Sequence, residues 1–355
     1  MLYCLQFPDS LQNTEEYVMA SMKEIAERCK VSVATVSKAI NGYSDIGEET
    51  RNLILNTASE LGDLPNSSAR ALKTKRSYNL GVLFFDEGMS GLTHDYFNHV
   101  LEHFRRTAQV QGYDITFVIG KDSGRKMSYY DHCRYRGVDG VVMACVDFYT
   151  DEVMDLVRSN IPLVTIDHTF DGTIAICSNN ALGMETLLDH VYQRGHRRIA
   201  YIHGENTSVT KIRMTSFYRS IQSLGLDIPD EYIRKAAYRD ADKAAIETAE
   251  LLNLRQPPTC ILYPDDFAAF GGYTEIRNRG LRIPEDISIV GFDGLDAARV
   301  LVPRLTTWCQ DTATIGRLAA EKLIDLIENP RTTVIEKYVV DGTLFTGGSV
   351  KTLKI

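Results

Sequence analysis

The chain is predicted to fold as an all-α helix-turn-helix head joined to an α/β body of two doubly wound lobes. Three observations predict this. Helical periodicity is crowded into residues 22–62, a polar basic stretch follows it, and short β-rich runs alternate with amphipathic segments from residue 80 onward. Charge divides the chain in the same place. Residues 19–77 hold nine Lys/Arg against seven Asp/Glu, whereas the whole chain of 355 residues has a formal net charge of −8. A mildly basic head on an acidic body suits a nucleic-acid reader whose larger part stays off the polyanion.

In "MKEIAERC", Ile25, Ala26 and Cys29 share a helical face. In "EETRNLILNTASELG", Leu53, Ile54, Thr57, Ala58 and Leu61 recur at helical spacing, and Gly62 is placed to end the helix. Between them, "KVSVATVSKAIN" alternates well enough to pass for a strand. As a strand it would have no clean apolar side, because Val33, Thr35, Ser37 and Ala39 would share one face. As a helix capped by Ser32, it puts Val36, Ala39 and Ile40 on one side and Val33, Ala34, Ser37, Lys38 and Asn41 on the other. The helix is therefore expected, and Cys29-Lys30-Val31 becomes the turn of a helix-turn-helix. The second helix of that motif enters the DNA major groove by its N-terminal residues, and small outward side chains let it approach the base edges. After it, "LPNSSARALKTKRS" (64–77) reads as a polar, basic linker in which only Leu72 stands out.

The body begins with "NLGVLFF". Runs at 80–85, 115–119, 138–146, 163–167, 198–203, 260–263 and 287–292 are rich in β-formers, with amphipathic segments between them. That pattern indicates parallel strands buried on both faces, and roughly 275 residues is too long for one such sheet. The seven cysteines are scattered without a C-x-x-C pair, which favours reduced thiols over disulfides or zinc. No run approaches 18 apolar residues, and "MLYCLQFPDS" lacks a basic and an apolar export region, so a cytoplasmic protein without membrane contact is expected. Asp95, His99 and His103 are four apart on one helical face. Val100, not an acid, follows His99, so the H-E-x-x-H pattern fails and neither metal nor cofactor is expected. No phosphate loop, dinucleotide fingerprint or Ser/His/Asp grouping points to an enzyme.

"MKEIAERCKVSVATVSKAINGYSDIGEETRNLILNTASELGDLPNSSARALKTKRSYNLGVLFF" resembles the head, hinge and first core strand of the lactose/galactose repressor (LacI/GalR) family of bacterial transcription regulators. The resemblance continues through "VDGVVM", "IPLVTID", "RGHRRIAYIHG", "PDDFAAFGG" and "GLRIPEDISIVGFDG", covering almost everything after residue 19. It implies an extension at 1–18, disordered or a mis-assigned start because Met19 or Met22 fits the family better. It further implies a DNA-binding head at 19–63, a hinge at 64–77 and a periplasmic-binding-protein-like body at 78–355. Three crossovers between the lobes would lie near Asn180, Thr307 and Thr333, with effector in the cleft. The partners implied are operator DNA, a sugar-like effector and a second copy of the chain, as a dimer or a tetramer.

Carried over residue by residue, the resemblance gives Val33, Ala34 and Lys38 base-reading positions. Ser32, Thr35, Ser37, Asn41 and Tyr43 take phosphates, and Leu72 wedges between base pairs. For the effector it implies Tyr96, Phe97, His168, Arg213, Asp265 and Asp293, with Arg213 and Asp293 on the second lobe facing Tyr96 and Phe97 on the first. Carboxylates and a guanidinium suit paired sugar hydroxyls, and an aromatic face suits the C–H side. Blander roles compete: Asp265 or Asp266 caps a helix starting near Phe267, Asp293 serves a turn, and Phe97 is core. The sequence departs from the family at Lys30, where a glycine is usual in the turn, at Asp63 for tyrosine, at Asp265 for asparagine and at Gly347 for arginine. Two other classes, a two-lobed solute-binding protein and a sugar-modifying enzyme, share the predicted body. The first has no use for residues 22–77, and the second needs an acid–base pair or phosphate loop that the sequence does not show.

Overall fold

A computed structural model of the chain describes residues 21–40, 43, 45–61, 76–85, 91–120 and 127–354. Two compact units emerge, Met1–Ser77 and Tyr78–Ile355. The first contains α1 (Met22–Cys29), α2 (Val33–Ile40) and α3 (Glu48–Glu60). Ser21 caps α1 by accepting the Glu24 N–H, and Lys30 ends it in the left-handed region (φ 54°, ψ 42°). The Val31 N–H returns to the Ala26 carbonyl at 2.9 Å, closing a Schellman turn. Lys30 thus accepts the conformation a glycine would adopt freely, at a cost of about 1 kcal/mol. The ambiguous stretch is a helix. Ser32 Oγ accepts the Thr35 N–H at 3.0 Å, and Val36 and Ala39 are buried with Ile25, Ala26, Cys29, Ile54 and Ala58. Leu53, expected among them, is instead 51% exposed. Ile54, Thr57, Ala58 and Leu61 already fill the inward stripe, and Leu53 falls one residue outside it. The extension, Asn41, Gly62, Asp63 and the hinge through Lys75, with Leu72, lie outside the described residues.

In the second unit the chain builds one lobe, then the other, then revisits both. The first lobe runs β1 (Asn79–Phe84), α4 (Asp95–Val110), β2 (Asp114–Val118), α5 (Tyr129–Arg136), β3 (Gly140–Ala144), α6 (Asp151–Val157), β4 (Leu163–Ile166) and β5 (Ile174–Ser178). The second follows as α7 (Asn180–Gln193), β6 (Ile199–His203), α8 (Ser208–Ser223), β7 (Ile233–Lys235), α9 (Ala241–Leu252), β8 (Cys260–Leu262), α10 (Asp266–Asn278), β9 (Ser288–Asp293), α11 (Asp296–Val300) and β10 (Thr306–Cys309). Then α12 (Thr312–Glu328) and β11 (Lys337–Val340) rejoin the first lobe, and β12 (Thr343–Phe345) the second.

The sheet orders are β11-β5-β4-β3-β1-β2 and β12-β10-β9-β8-β6-β7, parallel throughout except for β12 against β10. Each lobe therefore repeats one doubly wound order, with helices on both faces. Apolar clusters fill all four sheet–helix layers. One joins Leu80, Val100 and Phe104 to Ile315, Ala319 and Leu323 of α12, which is why that helix returns to the first lobe.

The lobes are joined at β5–α7, at β10–α12 and at β11–β12. The expected crossing at Asn180 coincides with the start of α7, and that at Thr307 falls inside β10. The crossing expected near Thr333 is corrected to Asp341–Gly342. Residues 337–340 are half exposed at a sheet edge, so they carry little of the apolar signal that marks a buried strand. The crossings are stitched together. Asn179 Nδ2 donates to Asp341 Oδ1 at 2.7 Å, and a Cβ on Gly342 would lie 2.3 Å from the Cys309 carbonyl oxygen.

Candidate functional site

On the head, Val33, Ala34 and Lys38 are exposed along one face of α2, and Ser37 is half buried beside them. Ser32 and Thr35 are engaged with each other, their hydroxyls 2.8 Å apart. Lys38 Nζ lies 2.6 Å from Asp45 Oδ2. That carboxylate raises the Lys38 pKa, and the ammonium in turn holds Asp45 below the usual carboxylate range. Tyr43 is 48% exposed, and its carbonyl accepts from Arg51.

On the body, polar groups collect at the C-terminal ends of strands from both sheets, where open α/β sheets place their ligands. Asp167 follows β4, Ser178 ends β5, Asp265 lies three residues beyond β8, Asp293 ends β9 and Gln310 follows β10. Asp167 (φ 58°), Arg239 (φ 56°) and Asp293 (φ 112°) hold left-handed backbones without being glycine. Such strain persists only where surrounding contacts over-determine it.

Tyr96, in the first turn of α4, donates its hydroxyl to Asp167 Oδ2 at 3.3 Å, and the Ser178 N–H donates to Asp167 Oδ1 at 2.8 Å. Arg213, on α8, is 3% exposed. Its guanidinium lies 3.5 Å from the centroid of the Phe292 ring and donates to Asn180 Oδ1 (2.7 Å) and the Pro264 carbonyl (2.6 Å). Asp293 is not its direct partner, because Asp293 Oδ1 accepts from Gln310 Nε2 at 2.6 Å. Asn180 and the Pro264 carbonyl occupy the guanidinium, so Asp293 acts on it only through the field.

Asp265 caps α10. Its Oδ1 accepts from the Ala268 N–H (2.7 Å) and its Oδ2 from the Arg239 N–H (2.8 Å). The neighbouring Asp266 lies deeper, taking the Thr307 hydroxyl (2.6 Å) and the Gly294 and Leu295 N–H groups, and so fixes the loop after β9. Burial raises the pKa of Asp167, Asp265 and Asp293, and pushes Asp266 up to about 7. Burial likewise lifts the Tyr96 phenol well above its usual value, with Asp167 adding to the rise.

The six expected effector residues therefore divide. Tyr96, Asp265 and Asp293 all lie within the electrostatic reach of Arg213. Phe97 packs in the first lobe's core, its ring against Phe84 (5.4 Å), His94 (4.9 Å) and Tyr96 (4.8 Å). His168 sits in an aromatic nest, stacked on Phe148 at 4.2 Å and edge-on to Tyr149 and Phe170. Its Nδ1 lies 2.8 Å from Ser208 Oγ of the other lobe, and burial, then Lys211, lowers its pKa. Sequence reasoning missed Asp167, Asn180, Arg239 and Gln310. Asp167 was discoverable as the polar residue that closes a β-rich run, whereas Asn180, Arg239 and Gln310, the last following a strand that the sequence does not mark, carry no local signal. Among the described residues, no group of three or more His, Cys, Asp or Glu is placed to hold a metal, and Asp95 pairs with Arg239 instead.

Residues 21–66 match the model of the bacterial regulatory proteins of the lacI family, and residues 188–350 match a periplasmic binding protein-like domain. The ribose operon repressor of Haemophilus influenzae is 31% identical over 326 residues, covering 90% of this chain and 96% of that protein. The lac repressor dimer bound to operator and the anti-inducer ONPF superposes with a TM-score of 0.78 at 22% identity, over 94% of this chain and 99% of that one. A LacI family regulator from Enterococcus faecium with bound ribose gives 0.67 at 24% identity, over 78% and 100%.

Proposed function

The chain belongs to the lacI family of bacterial regulatory proteins, and on that premise we propose that it is a cytoplasmic, homodimeric repressor whose hold on operator DNA is set by a small carbohydrate in the cleft. One observation carries the reading. A single chain joins a helix-turn-helix with Val33, Ala34 and Lys38 outward to a cleft where buried carboxylates and a guanidinium meet aromatic rings. Val33 packs on a thymine methyl and Lys38 donates to guanine O6/N7, while Ser32, Thr35 and Ser37 hold phosphates. Tyr96, Arg213, Asp265 and Asp293 bind the sugar's hydroxyls, and His168 with its ring neighbours closes one side. The cleft is a binding site and is assigned no catalytic role.

Lys38 reaches a base only by leaving Asp45, an exposed pair that is weak in water. Lys38→Ala is expected to lose about 1–3 kcal/mol on operator and little on random DNA, while Asp45→Asn tightens operator binding. The test is fluorescence anisotropy on operator and random duplexes over a salt series, repeated with a panel of pentoses, hexoses and disaccharides. Loss of DNA binding with one of these sugars supports the reading. Equal Lys38→Ala losses on both duplexes remove the base-reading role, and salt-independent binding refutes the DNA-binding function.

A further inference from the structure

We propose that Arg239 is a positioning residue that ties the shape of the cleft to its closure. It follows β7 on the second lobe and holds three relationships at once. Its backbone N–H donates to Asp265 Oδ2 at 2.8 Å. Its guanidinium crosses to the first lobe, 3.0 Å from Asp95 Oδ2 and 3.5 Å from the Thr93 carbonyl. Its planar group lies 4.9 Å from the centre of the Phe267 ring, and Phe267 packs against the first lobe's core.

Asp95 opens α4 one residue before Tyr96, whose hydroxyl reaches Asp167. Asp265 and Asp167, one on each wall, are thus linked through Arg239, Asp95 and the rigid first turn of α4. A ligand that draws on Asp265 moves the backbone of Arg239, and with it the ion pair that bridges the lobes. The left-handed backbone at Arg239 fits this role, because it turns the N–H toward one wall while the side chain spans to the other. Other cross-lobe contacts among the described residues are of different kinds. His168 to Ser208 is a hydrogen bond at 2.8 Å, and Leu295 contributes apolar packing to the first lobe's core. Of the cross-lobe contacts named, the Arg239 contact alone is an ion pair, which makes it separable by charge exchange.

The inference needs neither ligand nor DNA, so it stands or falls independently of the carbohydrate reading. The full chain without ligand would carry genetically encoded spin labels at exposed Asp151 on the first lobe and exposed Gln222 on the second. Pulsed electron–electron resonance then reads the lobe separation. Asp95→Asn and Arg239→Ala are each expected to lower the closed-to-open ratio about fivefold. The exchange Asp95→Lys with Arg239→Asp is expected to restore it, Arg239→Lys to retain most of it, and high salt to shrink the wild-type advantage. Asp95 is 47% exposed and its amide isosteric, so that variant guards against a folding artefact. Wild-type distance distributions in both single variants, or opening that the charge exchange does not reverse, would overturn the proposal.

Discussion

The two lobes share a strand order and present opposite chemistry to the cleft between them. The first contributes rings, Tyr96, Phe148, Tyr149 and His168, with Asp167 held beneath Tyr96. The second contributes charge, with Arg213, Arg239, Asp265, Asp266 and Asp293. The shared scaffold dictates where strand ends fall, while the residues there decide what each wall does. A ring wall is stable when empty. A wall of buried charges must be satisfied internally before any ligand arrives, and this is why Asp265 and Asp266 already carry two and three hydrogen bonds. Damage to the charged wall should therefore be costly for folding, and damage to the ring wall mild.

The strongest test of that contrast is Arg213→Ala. It strips Asn180 and the Pro264 carbonyl of their donor, uncovers Phe292 and leaves the buried carboxylates without their central cation. A loss of about 3–5 kcal/mol in urea unfolding is expected. A loss near zero would mean that the charged wall is not pre-organised.

Next in size is the proton on Asp266. Its folded pKa of about 7 stands above the ordinary 3.8. Between those values the folded chain keeps a proton that the unfolded chain has released. The resulting stability is fully present below the ordinary value and disappears as pH rises through about 7. Asp266→Asn keeps the shape and removes the titration. It is expected to flatten the fall in Tm between pH 5 and 8, a difference of roughly 2–4 kcal/mol at the upper pH. Identical pH profiles would show that Asp266 titrates normally.

Asp293→Ala comes third. It removes an acceptor from the proposed sugar site and frees Gln310, so effector affinity is expected to drop by about 1.5–3 kcal/mol in calorimetric titration. Operator binding without effector should be unchanged. A response at the wild-type effector concentration would make Asp293 a turn residue. The ring wall supplies the smallest effect: Tyr96→Phe loses one hydrogen bond of 3.3 Å and should cost about 1 kcal/mol in thermal unfolding. A loss as large as that of Arg213→Ala would erase the distinction between the walls.

Much of this architecture was legible in advance because it is local. The inward stripe of α2, the Ser32 cap and seven of the strands follow from residues within a few positions of one another. Among the unread strands, β7 and β12 have three residues each, β10 is rich in threonine and β11 is half exposed at a sheet edge, so none forms a long apolar run. The fully buried run of β5 (Ile174–Ser178) was legible and was missed. Leu53 shows the limit of counting periodicity without knowing the partner, because one position along a helix turns a side chain by about 100°.

Arg213, Asp265 and Asp293 could be singled out from their motifs, but their partners could not. The cap at Asp265 needs only the three residues that follow it, so the possibility was visible in "PDDFAA". The bonds from Arg213 to Asn180 and Pro264 join residues 33 and 51 positions apart, and the pair between Asp95 and Arg239 spans 144. No local pattern encodes such pairings. They arise when strand ends from two sheets are brought to one cleft, where lost hydration forces each buried charge to find a partner. Helices, caps and strand runs were written in short-range order, and the assembly of the cleft came only with the packing of the two lobes.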